Sequence, residues 1–175
     1  MRVLIGGVRI GLPAALLWLG AQAAAAPAAQ SAPTSSTIGP RDQAAAYSAA
    51  GYRRKGSHWH LCDDPSASYS PGQLEPVSDL NGDGQPELVI NEGSTACHGR
   101  TGNGYSLVSR QADGRWKLIA SGTGMVSFLK TKGPGGWPDM QIGGPGFCFP
   151  VERWNGNAYR LHRWEYDGKR CKPPR

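Results

Sequence analysis

Glycine and proline interrupt this chain at short intervals from residue 57 onward, and short runs rich in β-branched and aromatic residues stand between them. The 175 residues include 25 Gly and 14 Pro. Such runs recur roughly every ten residues, a spacing typical of all-β domains. The pattern predicts strands at residues 58–62, 74–79, 87–92, 105–111, 116–121, 125–130, 139–142, 148–154 and 158–166. The pairs Asp113-Gly114 and Asn155-Gly156 predict hairpin turns, because they tolerate positive φ.

One helix is expected before this β-rich body. Pro40 and Asp42 introduce an alanine-rich stretch, residues 43–52, in which Ala has the highest intrinsic helix propensity. Because a single short helix is marginal alone, we expect Tyr47 and Tyr52 to pack it against the strands.

The first 26 residues have the pattern of a secretory signal peptide. Arg2 and Arg9 are their only charges, residues 10–19 form a short apolar run, and an A-x-A cleavage pattern follows. Residues 27–40, rich in Ala, Pro, Ser and Thr, predict a flexible leader, and residues 41–175 a single domain. The sequence therefore predicts a periplasmic or secreted protein with no membrane span in its mature form.

The four cysteines, Cys62, Cys97, Cys148 and Cys171, all lie in the predicted domain. In an exported protein an even number of cysteines most simply forms disulfides. Three connectivities are possible, and we favour the local pairs Cys62–Cys97 and Cys148–Cys171.

The charge of the mature chain is modest. Removing the two signal-peptide arginines leaves 17 Lys and Arg against 13 Asp and Glu, a net charge of +4. The basic residues are scattered, with residues 53–55 the only run, so we expect no nucleic-acid partner. We expect a monomer.

An acidic loop precedes the apolar run at residues 88–90. Oxygen-bearing side chains stand at its positions 1, 3, 5 and 9, which are Asp79, Asn81, Asp83 and Glu87. Glycine, Gly84, stands at position 6. Hard cations such as Ca²⁺ take several oxygen ligands, which a short loop of this kind can supply. The alternative is a tight turn that binds nothing.

The acidic loop resembles the metal loop of FG-GAP and VCBS-type repeats, in which D-x-N-x-D-G-x-x-D/E runs into an apolar strand. Those repeats form extracellular β-propellers whose loops bind Ca²⁺. The resemblance implies Ca²⁺ bound by the side chains of Asp79, Asn81, Asp83 and Glu87 and by the carbonyl of Gln85. An EF-hand is disfavoured, because Ile90 occupies the position of its bidentate carboxylate.

A weak internal repeat accompanies this loop. Residues 86–90 resemble residues 138–142, each copy follows a glycine-rich loop, and Cys97 and Cys148 follow at similar distances. Repeats of this length are typical of propeller blades. Two copies cannot close a propeller, so we expect a mainly β fold of two packed antiparallel meanders, blade-like but not closed, with one short N-terminal α-helix. Because residues 133–138 have lost the acids, a second metal site is disfavoured.

Three further patterns suggest sites. His58, His60 and Cys62 alternate and would share one strand face, as in a zinc site, unless Cys62 is oxidised. Glu92, Ser94, Thr95 and His98 lie close in sequence and could include a nucleophile and a base. Aromatic side chains near the second glycine-rich region could line a ligand-binding groove; they are Trp137, Phe147, Phe149 and Trp154.

These patterns favour an exported binding module over an enzyme, since no G-x-S-x-G, H-E-x-x-H or similar catalytic motif is present. We expect its ligand to be a protein or an envelope glycan. The first alternative is an enzyme inhibitor that presents residues 93–104 as a rigid loop. The second is a small hydrolase with an unrecognised site.

Overall fold

The computed structural model describes residues 38–173. The predicted signal peptide, residues 1–26, and most of the predicted leader lie outside the described residues. The helices are α1 (Pro40–Ala49) and α2 (Thr95–His98), with 3₁₀ turns at Gly99–Thr101 and Pro134–Gly136. The strands are β1 (Arg53–Lys55), β2 (His58–His60), β3 (Ser70–Val77), β4 (Glu87–Gly93), β5 (Asn103–Arg110), β6 (Trp116–Thr123), β7 (Met125–Lys132), β8 (Pro138–Gly143), β9 (Phe149–Trp154), β10 (Tyr159–Tyr166) and β11 (Lys169–Arg170).

The strands form two antiparallel meanders in which neighbours in sequence are neighbours in space. The first sheet has the order β3-β4-β5-β6, and the second has the order β7-β8-β9-β10-β11. Strands β1 and β2 form a separate hairpin. The predicted fold class, two packed meanders that do not close into a barrel or ring, is confirmed.

The first sheet is covered on both faces. Alternate side chains of a strand point to opposite faces, and Leu88 and Ile90 on β4 pack against α1 through Ala46 and Tyr47. Val89 points the other way and joins Leu107, Met140 and further side chains in the core between the two sheets. This double coverage explains why residues 87–90 are all buried.

Helix α1 begins three residues earlier than the predicted stretch and ends before Tyr52. Pro40 stands in its first turn, where the missing N–H leaves no helical hydrogen bond unmade. The helix stops before Gly51, whose φ is +86°. Tyr47 stacks on Trp59 with ring centroids 4.9 Å apart and donates a hydrogen bond to the Gly72 carbonyl, so the predicted anchoring role of this tyrosine is confirmed.

The loops that precede β4 and β8 lie against each other. Gly136 has a φ of +77°, and a Cβ at this position would lie 2.2 Å from the Asn81 carbonyl oxygen. Only glycine therefore permits this approach. The contact places the acidic loop and its counterpart in the second meander at the same end of the molecule.

Both favoured disulfides are present. Cys62 and Cys97 lie with their Cα atoms 6.4 Å apart, and Cys148 and Cys171 lie 5.7 Å apart, each pair joined by an S–S bond. Disulfides persist in oxidising compartments, so the fold indicates such a location. In the described part of the chain, no helix is long and apolar enough to cross a membrane.

Candidate functional site

The acidic loop is folded around its own polar side chains. The Asp79 carboxylate accepts hydrogen bonds from the backbone amides of Gly82 and Gly84, at 2.7 and 2.8 Å. The Asn81 side-chain oxygen accepts one from the Asp83 amide at 2.9 Å, and the Asn81 side-chain amide donates to the Asp83 carboxylate at 3.0 Å. Asp and Asn favour turns through bonds of this kind. The loop thus brings three of the predicted ligands together.

Glu87, the last predicted side-chain ligand, is fully buried at the base of this loop. Its carboxylate accepts hydrogen bonds from the Leu80 amide at 2.6 Å and from the Ser109 hydroxyl at 2.8 Å. Burial raises the pKa of Glu87 to about 7, and the negative charges of Asp83 and Asp79 add to the increase. A cation in the loop would oppose this shift, because an opposite charge favours the ionised carboxylate.

Among the residues that the structure describes, no Lys or Arg forms an ion pair with the acids of the loop. The ion pairs among residues 38–173 all involve other carboxylates. Lys132 approaches, but it donates to the Leu80 carbonyl at 3.5 Å. Carboxylate, amide and carbonyl oxygens are the donors that Ca²⁺ prefers. In the same residues, however, no three His, Cys, Asp or Glu side chains are grouped closely enough to hold a metal ion. Calcium binding, with Gln85 as a carbonyl ligand, stays a prediction.

In the second meander, two arginines neutralise the acid at the position equivalent to Glu87. Asp139 stands at the start of β8, as Glu87 does at the start of β4, and it is fully buried. Arg153 contacts it through Nε at 2.8 Å and Nη2 at 2.9 Å, and Arg163 contacts it at 2.6 Å. Burial alone would raise the pKa of Asp139, but hydrogen bonds from Arg153, Thr131 and Arg163 outweigh it and hold the pKa below its usual range. Arginine therefore supplies the positive charge here.

The two disulfides brace the opposite end of the molecule. Cys97 lies in the connection from β4 to β5, and Cys148 lies in the equivalent connection from β8 to β9. The two connections touch, since a Cβ on Gly144 would lie 3.6 Å from the Thr101 hydroxyl oxygen. We call this part of the molecule the braced end and define it as residues 93–104 and 143–149 with the adjoining strand ends.

Large apolar side chains are exposed at the braced end. Phe147 and Met125 are each 60% exposed, Tyr166 is 50% exposed and Leu61 is 40% exposed. Phe147 and Phe149 both contact the Tyr166 ring, each at a centroid distance of 6.1 Å. Clusters of exposed apolar side chains mark interaction surfaces more often than scattered ones do.

The four aromatic residues predicted to line one groove lie in two places. Phe147 and Phe149 belong to the braced end. Trp137 is buried between the sheets, where it contacts Trp154 at a centroid distance of 5.6 Å and Tyr159 at 6.2 Å. A ligand-binding role for the four stays a prediction, and the geometry favours Phe147 and Phe149 over the two tryptophans.

Residues 93–104 fold as a compact helical cap. Ser94 begins α2, and its hydroxyl accepts a hydrogen bond from the Cys97 amide at 3.0 Å. The Ser94 amide donates to the Gly102 carbonyl at 2.9 Å, which closes the segment on itself. The segment is compact and held by the Cys62–Cys97 disulfide, and its use as the rigid loop of an enzyme inhibitor stays a prediction.

Glu92 is a buried hydrogen-bond acceptor that ties this cap to the rest of the fold. It is 1% exposed. One carboxylate oxygen accepts from the amides of Leu61 and Cys62, at 2.9 and 3.2 Å, and from the Tyr69 hydroxyl. The other oxygen lies 3.3 Å from His98 Nε2. A carboxylate that accepts several hydrogen bonds can remain buried without a large penalty.

The group of Glu92, Ser94, Thr95 and His98 does not assemble a nucleophile with a base. The Ser94 hydroxyl donates to Asp64 at 2.7 Å, while His98 pairs with Glu92 instead. Thr95 is exposed in the first turn of α2. Nucleophilic catalysis needs a base within hydrogen-bond reach of the nucleophile, and no hydrogen bond joins a hydroxyl to a base among these four residues; the carboxylate that Ser94 contacts is that of Asp64, outside the predicted group.

The predicted zinc pattern of His58, His60 and Cys62 lacks its thiolate ligand. Cys62 is oxidised in the disulfide with Cys97, so it has no thiolate to offer a metal. His60 stacks on Tyr69 with ring centroids 5.0 Å apart, and His58 is exposed.

A pocket of about 230 Å³ lies beside His98 at the edge of the braced end. It is lined by Tyr52, Leu61, His98, Gly104, Tyr105, Ser121, Gly122 and Thr123. The sequence did not reveal this pocket, because its lining comes from four segments distant in sequence. The one sequence signal that could have located the braced end was that Cys97 and Cys148 follow the two repeat copies, residues 86–90 and 138–142, at similar distances.

Comparison with known proteins found no matching family model, no similar curated protein and no similar solved structure. The likeness to FG-GAP and VCBS-type repeats therefore stays a resemblance of the acidic loop and the strand after it. By its fold, the protein belongs to the class of disulfide-braced β domains built from two meanders.

Proposed function

We propose that this protein is an exported binding module that works in the periplasm or outside the cell and contacts its ligand with the braced end. The observation that carries this proposal is the coincidence of both disulfides with exposed Leu61, Met125, Phe147 and Tyr166. Disulfides limit the freedom of connecting segments, and a rigid surface loses less entropy when it binds. The ligand is a protein or an envelope glycan.

A pull-down from envelope extract tests this proposal with a matched pair of variants. Phe147→Ser removes a large side chain from the braced end, whereas Leu161→Ser removes one of similar exposure, 55%, from the middle of β10. We expect wild-type protein and Leu161→Ser to retain the same component, and Phe147→Ser to lose it. Equal retention by both variants would contradict the assignment of the surface.

At the opposite end, we propose that Ca²⁺ binds the acidic loop and stabilises it without taking part in chemistry. The support is the set of oxygen donors on Asp79, Asn81, Asp83 and Glu87, which no Lys or Arg in the described residues pairs with. Chelation should lower the melting temperature, and Asp83→Ala should remove that dependence. A melting curve that is the same with chelator and with Ca²⁺ would favour the bare turn.

A further inference from the structure

The pocket beside His98 has a floor of backbone and walls of side chains. Register pairs Gly104 with Thr123 and Ser106 with Ser121 across β5 and β6. Because residues paired across a sheet share a face, the side chains of Ser121 and Thr123 stand on the same side as Gly104. Tyr105 points to the other side, where its ring packs against Gly122.

Glycine at position 104 makes room for the His98 ring. A Cβ there would lie 2.2 Å from Cε1 and 2.7 Å from Nδ1 of His98. The ring therefore lies flat against the strand and forms one wall of the pocket.

Glu92 fixes how that ring presents its nitrogens. A carboxylate only accepts hydrogen bonds, so His98 Nε2, at 3.3 Å from Glu92, carries the proton. In the neutral ring Nδ1 is then an acceptor. The exposed hydroxyls of Ser121 and Thr123 give the pocket two groups that both donate and accept.

The chemistry of this lining suits a small neutral ligand with several hydroxyl groups. None of the lining residues is Asp, Glu, Lys or Arg, so the pocket has no permanently charged side chain that would favour an ionic ligand over a neutral one. Its volume of about 230 Å³ lies below the roughly 300 Å³ at which pockets for drug-sized ligands begin. The apolar side chain of Leu61, which is 40% exposed, complements the C–H groups of a sugar, and the hydroxyls complement its O–H groups.

We propose that the pocket beside His98 binds a single neutral sugar ring, such as the terminal residue of a glycan. This inference rests on the proposed function, since it names a ligand class for one part of the braced end. His98 and Tyr52 form the walls, Ser121 and Thr123 contribute hydroxyls, and Glu92 acts as a positioning residue that holds His98.

The test is a titration of the ¹⁵N-labelled mature protein with the methyl glycosides of glucose, galactose, mannose and N-acetylglucosamine at millimolar concentrations. We expect saturable amide shifts for at least one of them, centred on Gly104, Gly122 and Thr123. Thr123→Phe fills the pocket and should weaken binding at least about tenfold, or about 1.4 kcal/mol. Ser127→Phe, on exposed β7 outside the pocket, is the matched control and should bind as wild type does.

Three results would overturn the sugar pocket. They are the absence of saturable shifts with all four glycosides, shifts centred away from the pocket, and equal loss in both phenylalanine variants. Failure of the sugar pocket is distinguishable from failure of the proposed function. If the pull-down retains an envelope component that depends on Phe147 but the titration shows no glycoside binding, the protein is still a binding module and the sugar pocket is excluded.

Discussion

Asp139→Asn tests whether the charge network of the second meander is essential to the fold. The substitution removes the negative charge that two arginines share, and Arg163 is only 9% exposed. The carboxylate accepts four hydrogen bonds, two from Arg153, one from Arg163 and one from Thr131. Breaking a buried pair on one side typically costs about 3–5 kcal/mol, because the remaining charge is left uncompensated.

Since Arg153 is partly exposed and water can solvate it, we expect the lower limit, about 3 kcal/mol. For a domain of this size each kcal/mol shifts the melting temperature by about 3 °C, so the loss should be about 10 °C. Thermal unfolding followed by circular dichroism measures it. Asp113→Asn is the control, because Asp113 pairs with Arg115 on the surface and should leave the melting temperature nearly unchanged. Equal small shifts in both variants would refute the idea that Arg153 and Arg163 stabilise the second meander by neutralising buried Asp139.

Three further predictions concern the acidic loop, its neighbour and the disulfides. With chelator present, the free energy of unfolding should fall by up to about 3 kcal/mol as pH rises from 4.5 to 7, because folded Glu87, with a pKa of about 7, keeps a proton that the unfolded chain releases. Denaturant titrations of wild type and Glu87→Gln across this pH range check the prediction. If the Glu87→Gln variant shows the same pH dependence, other groups are responsible for it. Gly136→Ala should lower the free energy of unfolding by about 1–2 kcal/mol more than Gly156→Ala does. Both positions have positive φ, but only a Cβ at position 136 would meet the Asn81 carbonyl. Equal losses of stability would show that backbone strain alone is responsible. Intact-mass analysis of exported protein should show two hydrogens lost for each of the two disulfides, and a mass that matches free thiols would contradict both pairings.

The fold was largely predictable because its patterns are local. Turn residues such as Asn155 and Gly156 and the alternation of apolar side chains mark strands without knowledge of tertiary contacts. The repeat at residues 86–90 and 138–142 was enough to predict two equivalent meanders. The short strands β1 and β11 were missed, because two or three polar residues such as Arg53 and Lys169 carry no such alternation.

The candidate sites were harder to predict, because they depend on which faces are covered. Nothing in the sequence distinguishes Trp137, which is buried between the sheets, from Phe147, which is exposed. The contact of His98 with Glu92 requires the turn of α2 that Ser94 initiates. A pocket lined by segments from Tyr52 to Thr123 follows only from the packing of the hairpin and the cap on the first sheet.

Site-specific photocrosslinking in living cells tests the central claim, that the braced end contacts the ligand, most directly. A photoreactive phenylalanine analogue would replace Phe147 in one strain and Leu161 in another, two positions of similar exposure. We predict a crosslinked product at position 147 and none at position 161. Crosslinking at position 161 alone, or at neither position, would contradict a ligand-binding role for the braced end.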